Sequence, residues 1–108
     1  MTDRELLELA AKASGSLEYV AELDAWINIE PDGSRGAWWN PLTGDGDALR
    51  LAVKLRIDVY HDLRGENQIS GGAAGPHALQ TELHGADALA AMRRAITRAA
   101  AEIGKAMP

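Results

Sequence analysis

Pro41 places the tightest single constraint on this chain. It fixes its own φ and holds Asn40 out of the helical region, so Trp38 and Trp39 must arrive in extended backbone and the chain must bend before any helix begins. The residues after the bend have a helical pattern. Thr43, Asp45 and Asp47 can accept hydrogen bonds from the unpaired N–H groups of a first turn, and both carboxylates suit the positive end of a helix dipole. From Ala48 onward Leu49, Ala52 and Val53, with Leu51 and Leu55 beside them, recur at helical spacing and predict a wide apolar stripe. A strand end, a tight turn and a helix are thus compressed into residues 38–55, and the rest of the chain must be arranged around them.

Ahead of that segment, Thr2 and Glu5 have the spacing of a capping box, and Leu6, Leu7, Leu9, Ala10 and Ala13 give the helix they open a buried face that ends at Gly15. Residues 18–30 change to a period of two. Tyr19, Ala21, Leu23, Ala25, Ile27 and Ile29 share one side, which predicts a half-buried strand, continuous or interrupted. Pro31 to Ser34 is a turn, and residues 35–39 return antiparallel as a hairpin. Beyond the central helix, residues 57–63 alternate as a strand. Residues 64–76, with Gly65, Gly71, Gly72 and Gly75 and little apolar content, read as a flexible glycine-rich loop. Residues 77–84 alternate again, with Leu79, Thr81 and Leu83 on one face, and are expected to pair with 57–63. Asp87 caps a last helix carrying Leu89, Met92, Ile96, Ala99, Ile103 and Met107 at three- and four-residue steps, with alanines that permit close approach of a second surface. The expected fold is one α+β domain over residues 1–108, a small antiparallel sheet of three to four strands layered with three helices as an α-β-α sandwich.

Charge narrows the partners. Residues 1–48 hold ten acidic and three basic side chains, 49–84 hold four of each, and 85–108 hold two acidic and four basic, for a net −5. An acidic half of that size argues against extensive nucleic-acid binding. The 108 residues contain no cysteine, which excludes a disulfide framework and a thiolate nucleophile. No apolar run approaches the ~20 residues that cross a bilayer, and the first residues read as a capped amphipathic helix, so no membrane role and a cytoplasmic location are expected.

Chemistry-bearing residues are sparse. With three tryptophans and no phenylalanine, at least one indole must fill the core; the strand pleat sends Trp38 and Trp39 to opposite faces, so one can be buried while the other is an anchor or stacking platform beside Asn40. Arg94 and Arg98 lie one turn apart on the last helix and can grip a phosphate or carboxylate. Asp45 and Asp47 are weak candidates for a cation site, since N-capping explains them without one. His61, with Asp62, His77 and His84 nearby in sequence, is the one opening for a metal-dependent or acid–base hydrolase, and His84 lies on the opposite strand parity from the other two histidines. No catalytic motif and no cofactor fingerprint is present.

Residues 39–55, reading Trp-Asn-Pro-Leu-Thr-Gly-Asp-Gly-Asp-Ala-Leu-Arg-Leu-Ala-Val-Lys-Leu, resemble the signature of the phage ABA-sandwich domain, a family of short proteins of tailed phages and prophages. Residues 3–13 and 94–107 resemble that family's first and last helices. Where its members tend to carry a further aspartate after Thr43, this chain has Gly44. The resemblance implies the sandwich fold and a phage accessory protein in the host bacterial cytoplasm, and no established activity. Together with the aromatic and arginine residues it favours a non-enzymatic protein that acts by binding. Such a protein would sequester a small anionic, nucleotide-like ligand or block a host defence protein, using Trp38 or Trp39, Asn40, Arg94 and Arg98. The alternatives are a homo-oligomeric structural or regulatory module, with the alanine-rich last helix as its seam, and a small hydrolase built on His61.

Overall fold

Thr2 and Glu5 exchange both hydrogen bonds of a capping box, and α1 (Asp3–Ser14) runs from them to Gly15, whose left-handed backbone closes the helix with a bond from its N–H to the Ala11 carbonyl. The computed structural model describes residues 1–63, 69–74, 79–83 and 85–108.

Residues 18–30 are not one strand. After β1 (Leu17–Val20), a 3-10 turn (Ala21–Leu23) and Asp24, left-handed at φ 46°, reverse the chain into β2 (Ala25–Ile29), which pairs antiparallel with β1 and sets Tyr19 opposite Trp26. Aspartate visits that backbone region more readily than most residues, because its short side chain can bond locally. β3 (Arg35–Trp39) returns antiparallel on β2, with Trp26 opposite Trp39 and Ile27 opposite Trp38, and completes a sheet of order β1-β2-β3.

The central helix, α2 (Asp45–Leu55), starts from Gly44, which has no side chain to cap it, so the expected first-turn capping by Thr43, Asp45 or Asp47 gives way to contacts with the preceding turn and with arginines. Its buried side is Ala48, Leu51 and Ala52, while Leu49 and Val53 stand 62% and 70% exposed. The inward face is therefore the Ala48, Leu51, Ala52 and Leu55 side of the expected stripe, where the alanines let the helix lie close to its neighbours, and Leu49 and Val53 are turned away from it.

The second sheet is β4 (Asp58–Leu63), β5 (Ile69–Ala74) and β6 (Leu79–Leu83), antiparallel in the order β4-β5-β6. Residues 69–74, expected as part of a flexible loop, form the middle strand, and β6 pairs with β5 instead of β4. After Ile69 the strand is only Ser, Gly and Ala and shows no two-residue period, yet its backbone groups bond a ladder as well as any other. The remainder of the 64–76 segment lies outside the described residues. Among the described residues the α+β class and the three helices stand as expected, with the strands divided between two three-stranded sheets.

Asp87 caps α3 (Ala88–Ala106) by accepting from the Ala90 N–H. α1 and α2 both pack on α3, as do β5 and β6. The core joins Ala10 and Ala11 of α1, Ala48, Leu51 and Ala52 of α2, and Ala95, Ile96, Ala99 and Ala100 of α3 with Trp39 and Ile57. The alanine face of α3, expected as a seam between copies, is thus enclosed within one chain. No helix among the described residues is long and apolar enough to cross a membrane.

Candidate functional site

The turn at Pro41 is bonded from both sides. Asn40 accepts from the Leu42 N–H through its side-chain oxygen at 2.9 Å, and its own N–H donates to Asp47 Oδ2 at 3.0 Å. Arg50 donates to the other Asp47 oxygen at 2.8 Å. From α3, Arg93 donates through Nε to the Leu42 carbonyl at 2.9 Å and through Nη1 to Asp45 at 2.7 Å. Both aspartates considered for a cation are engaged by arginines, and among the described residues no cluster of three or more His, Cys, Asp or Glu could hold a metal ion. The arrangement joins the end of β3, the start of α2 and the first half of α3, and it places Asn40 as a turn-forming residue.

The pleat separates the two adjacent indoles. Trp39 is 6% exposed and belongs to the core; Trp38 is 52% exposed on the opposite face of the first sheet. In register across that outer face lie Glu18, Ile27 and Trp38. Arg35 on the edge strand reaches over to Glu18, Nη2 to Oε1 at 2.9 Å, and Ile27 is buried although it faces away from the helices. The Glu18 carboxylate raises the Arg35 pKa further above its ordinary value, chiefly through that hydrogen bond. Trp38 thus rises from a small apolar patch bordered by one ion pair, at the open edge of the sheet.

Arg94 and Arg98 do not join it. Arg94 meets Asp3 at 3.0 Å and Glu82 at 3.8 Å, and Arg98 meets Glu82 at 2.6 Å. They flank a shallow hollow of about 340 Å³ with Glu82, Glu102, Leu6 and Gln80, which Trp38, Trp39 and Asn40 do not line. His61 lies exposed on β4, while His77 and His84 fall outside the described residues.

A recess of about 480 Å³ opens elsewhere, between α1 and the inner face of the first sheet, lined by Arg4, Leu7, Glu8, Tyr19, Asp24 and Trp26. The Tyr19 and Trp26 rings lie 5.2 Å apart and tilted by 53°, forming one wall. The Tyr19 hydroxyl donates to Asp24 Oδ1 at 2.5 Å, Arg4 Nη2 donates to the Tyr19 oxygen at 3.2 Å, and Arg4 stands 3.6 Å from Asp24. The bond to Asp24 favours the protonated phenol and raises the Tyr19 pKa; Arg4 is held charged chiefly by Asp24. A raised folded-state pKa gives a contribution to stability that is whole below the ordinary tyrosine range and lost as pH rises through the folded value. Asp24→Gly, which suits the left-handed backbone, is expected to bring Tyr19 ionisation to lower pH in a phenolate-absorbance titration. An unmoved curve would show that the Asp24 contact does not persist in solution.

The residues of this recess do not stand out as a group in the sequence, since Tyr19 and Trp26 have opposite parity on a single strand. Asp24, one residue before the second arm, was the available sign that the strand folds back. Comparison with protein-family models, with curated proteins and with solved structures finds no match.

Proposed function

We propose that this chain is a phage- or prophage-encoded accessory protein of the ABA-sandwich kind, working in the host cytoplasm by binding another protein through the outer face of its first sheet. The observation that carries this reading is the half-exposed Trp38 on an edge strand. Large aromatic side chains held half out of water on a firm backbone are what interface anchors are made of, and an edge strand offers unpaired backbone groups beside it. The engagement of Arg94 and Arg98 by Asp3 and Glu82 favours blocking of a host protein over sequestration of a nucleotide-like anion. Affinity capture from host extract with the wild type and Trp38→Asp side by side tests this. A partner held by the wild type is expected to be lost with the variant, and equal capture by both would overturn the Trp38 face as the binding surface.

A second reading has one observation of its own. Leu49 and Val53, one turn apart on α2, form an exposed apolar ridge, which favours a homo-oligomer seamed there instead of along α3. Light scattering of the wild type against Leu49→Glu separates the two readings.

A further inference from the structure

We propose that the recess between α1 and the first sheet is a docking site for a cationic side chain, arginine or lysine, presented by a partner polypeptide. It lies on the face of the sheet opposite Trp38 and does not depend on the binding role proposed for that residue.

Three features of the recess select a cation. Its wall is the Tyr19–Trp26 pair, and the faces of these rings attract positive charge. Its charged residues are two carboxylates, Glu8 and Asp24, against one guanidinium, so the space is net negative within the acidic half of the chain. The two carboxylates are also in different states. Asp24 is engaged directly by Tyr19 and Arg4, whereas Glu8, one turn after Arg4, acts on that guanidinium only as the weakest of its charge influences and keeps its carboxylate oxygens open to an incoming donor. Arg4 marks the preference from within the chain: its side chain, 73% exposed, is bonded to the tyrosine oxygen and close to Asp24.

The shape points to a polypeptide as the source of the cation. Glu8 and Trp26 also line a second hollow, of about 460 Å³, together with Ala11, Lys12, Gly15 and Leu17, so it continues along α1 and its cation, Lys12, leaves the net negative charge to the first recess. Arg4, Glu8 and Lys12 follow one another at four-residue steps, so the groove tracks one side of the helix. From position 4 to position 15 the helix rises roughly 16 Å, the reach of about five extended residues. A free amine would fill the first recess alone; a chain segment fills the recess with its basic side chain and the continuation with its neighbours.

The probes are N-acetyl-Ala-Leu-Arg-Ala-Leu-amide, the same peptide with citrulline for arginine, and agmatine, titrated into isotope-labelled full-length protein and followed by amide and indole chemical shifts. The arginine peptide is expected to give saturable shifts at the Trp26 indole, Tyr19 and Glu8, with the citrulline peptide and agmatine each at least ~5-fold weaker. Glu8→Gln, an exposed change on a helix surface that leaves the fold intact by its own amide spectrum, is expected to weaken the arginine peptide by about 5-fold. Equal binding of the arginine and citrulline peptides, shifts confined to other surfaces, no saturable shift, or an unaffected Glu8→Gln would each overturn the site. Agmatine binding as tightly as the peptide would overturn the polypeptide as its source.

Discussion

Trp39→Ala is expected to cost about 3–5 kcal/mol of stability, while Trp38→Ala, one position earlier, costs about 1 kcal/mol or less. The two residues share a sequence environment and differ in which side of the pleat they occupy. Trp39 belongs to a core cluster in which Ala10, Ala11, Ala48, Ala52, Ala95, Ala99 and Ala100 outnumber Leu51, Ile57 and Ile96. Few side chains in it are long enough to fill the space an indole leaves, so much of the lost volume persists as cavity. Trp38 leaves only an outward patch over Ile27. Since domains of this size hold together by roughly 5–15 kcal/mol, the first loss threatens folding at growth temperature and the second does not. Urea denaturation of both variants gives the comparison directly. Similar losses for the two would mean that the indoles are not divided between core and surface, and Trp38 would then lose its standing as an anchor.

That division follows from neighbouring residues alone, as do the capping box at Thr2 and the bend at Pro41, because each is set within a few positions along the chain. Features that depend on distant residues were hidden. Asp45 and Asp47 look like helix caps or cation ligands until Arg93, 48 residues away from Asp45, is seen to bind the first of them. Arg94 and Arg98 look like an anion clamp until folding brings Asp3 and Glu82 against them. In both cases a charged residue read as available is engaged by a partner that no local pattern announces. The strand at residues 69–74 was hidden for another reason: glycine and alanine carry no side-chain alternation, and pairing through the backbone leaves no mark on composition. At Leu49 and Val53 periodicity located the helix correctly and misjudged its rotation, since alanine counts little on a hydrophobic scale yet allows the closest packing. The recess at Tyr19 and Trp26 depended on one reversal at Asp24, and reading that reversal as extended backbone moved the two rings to opposite sides.

Gly104→Ala tests the packing on which the whole arrangement rests, and it is expected to destabilise the protein although alanine is the better helix former. A methyl group at this position would stand 2.0 Å from the carbonyl oxygen of Leu9 and 2.8 Å from its carbon. These are backbone atoms of α1, so no side-chain rotation relieves the overlap, and α1 and α3 must separate. Helix propensity favours alanine by about 1 kcal/mol in a helix interior and by less in a last turn. Overpacking costs about 1–3 kcal/mol, and a clash between two backbones belongs at the upper end. The net loss is therefore about 2 kcal/mol, or roughly 8–16 °C in Tm for a domain of this size. Gly46→Ala supplies the contrast, because the nearest atoms to its new methyl would be those of the exposed Arg50 guanidinium, at 3.1 Å, which can swing aside. Released from that constraint, propensity should act alone and raise stability by about 0.5–1 kcal/mol. Thermal melts in which both substitutions stabilise would mean that α1 and α3 do not touch at Leu9, and the alanine core drawn around that contact would be wrong.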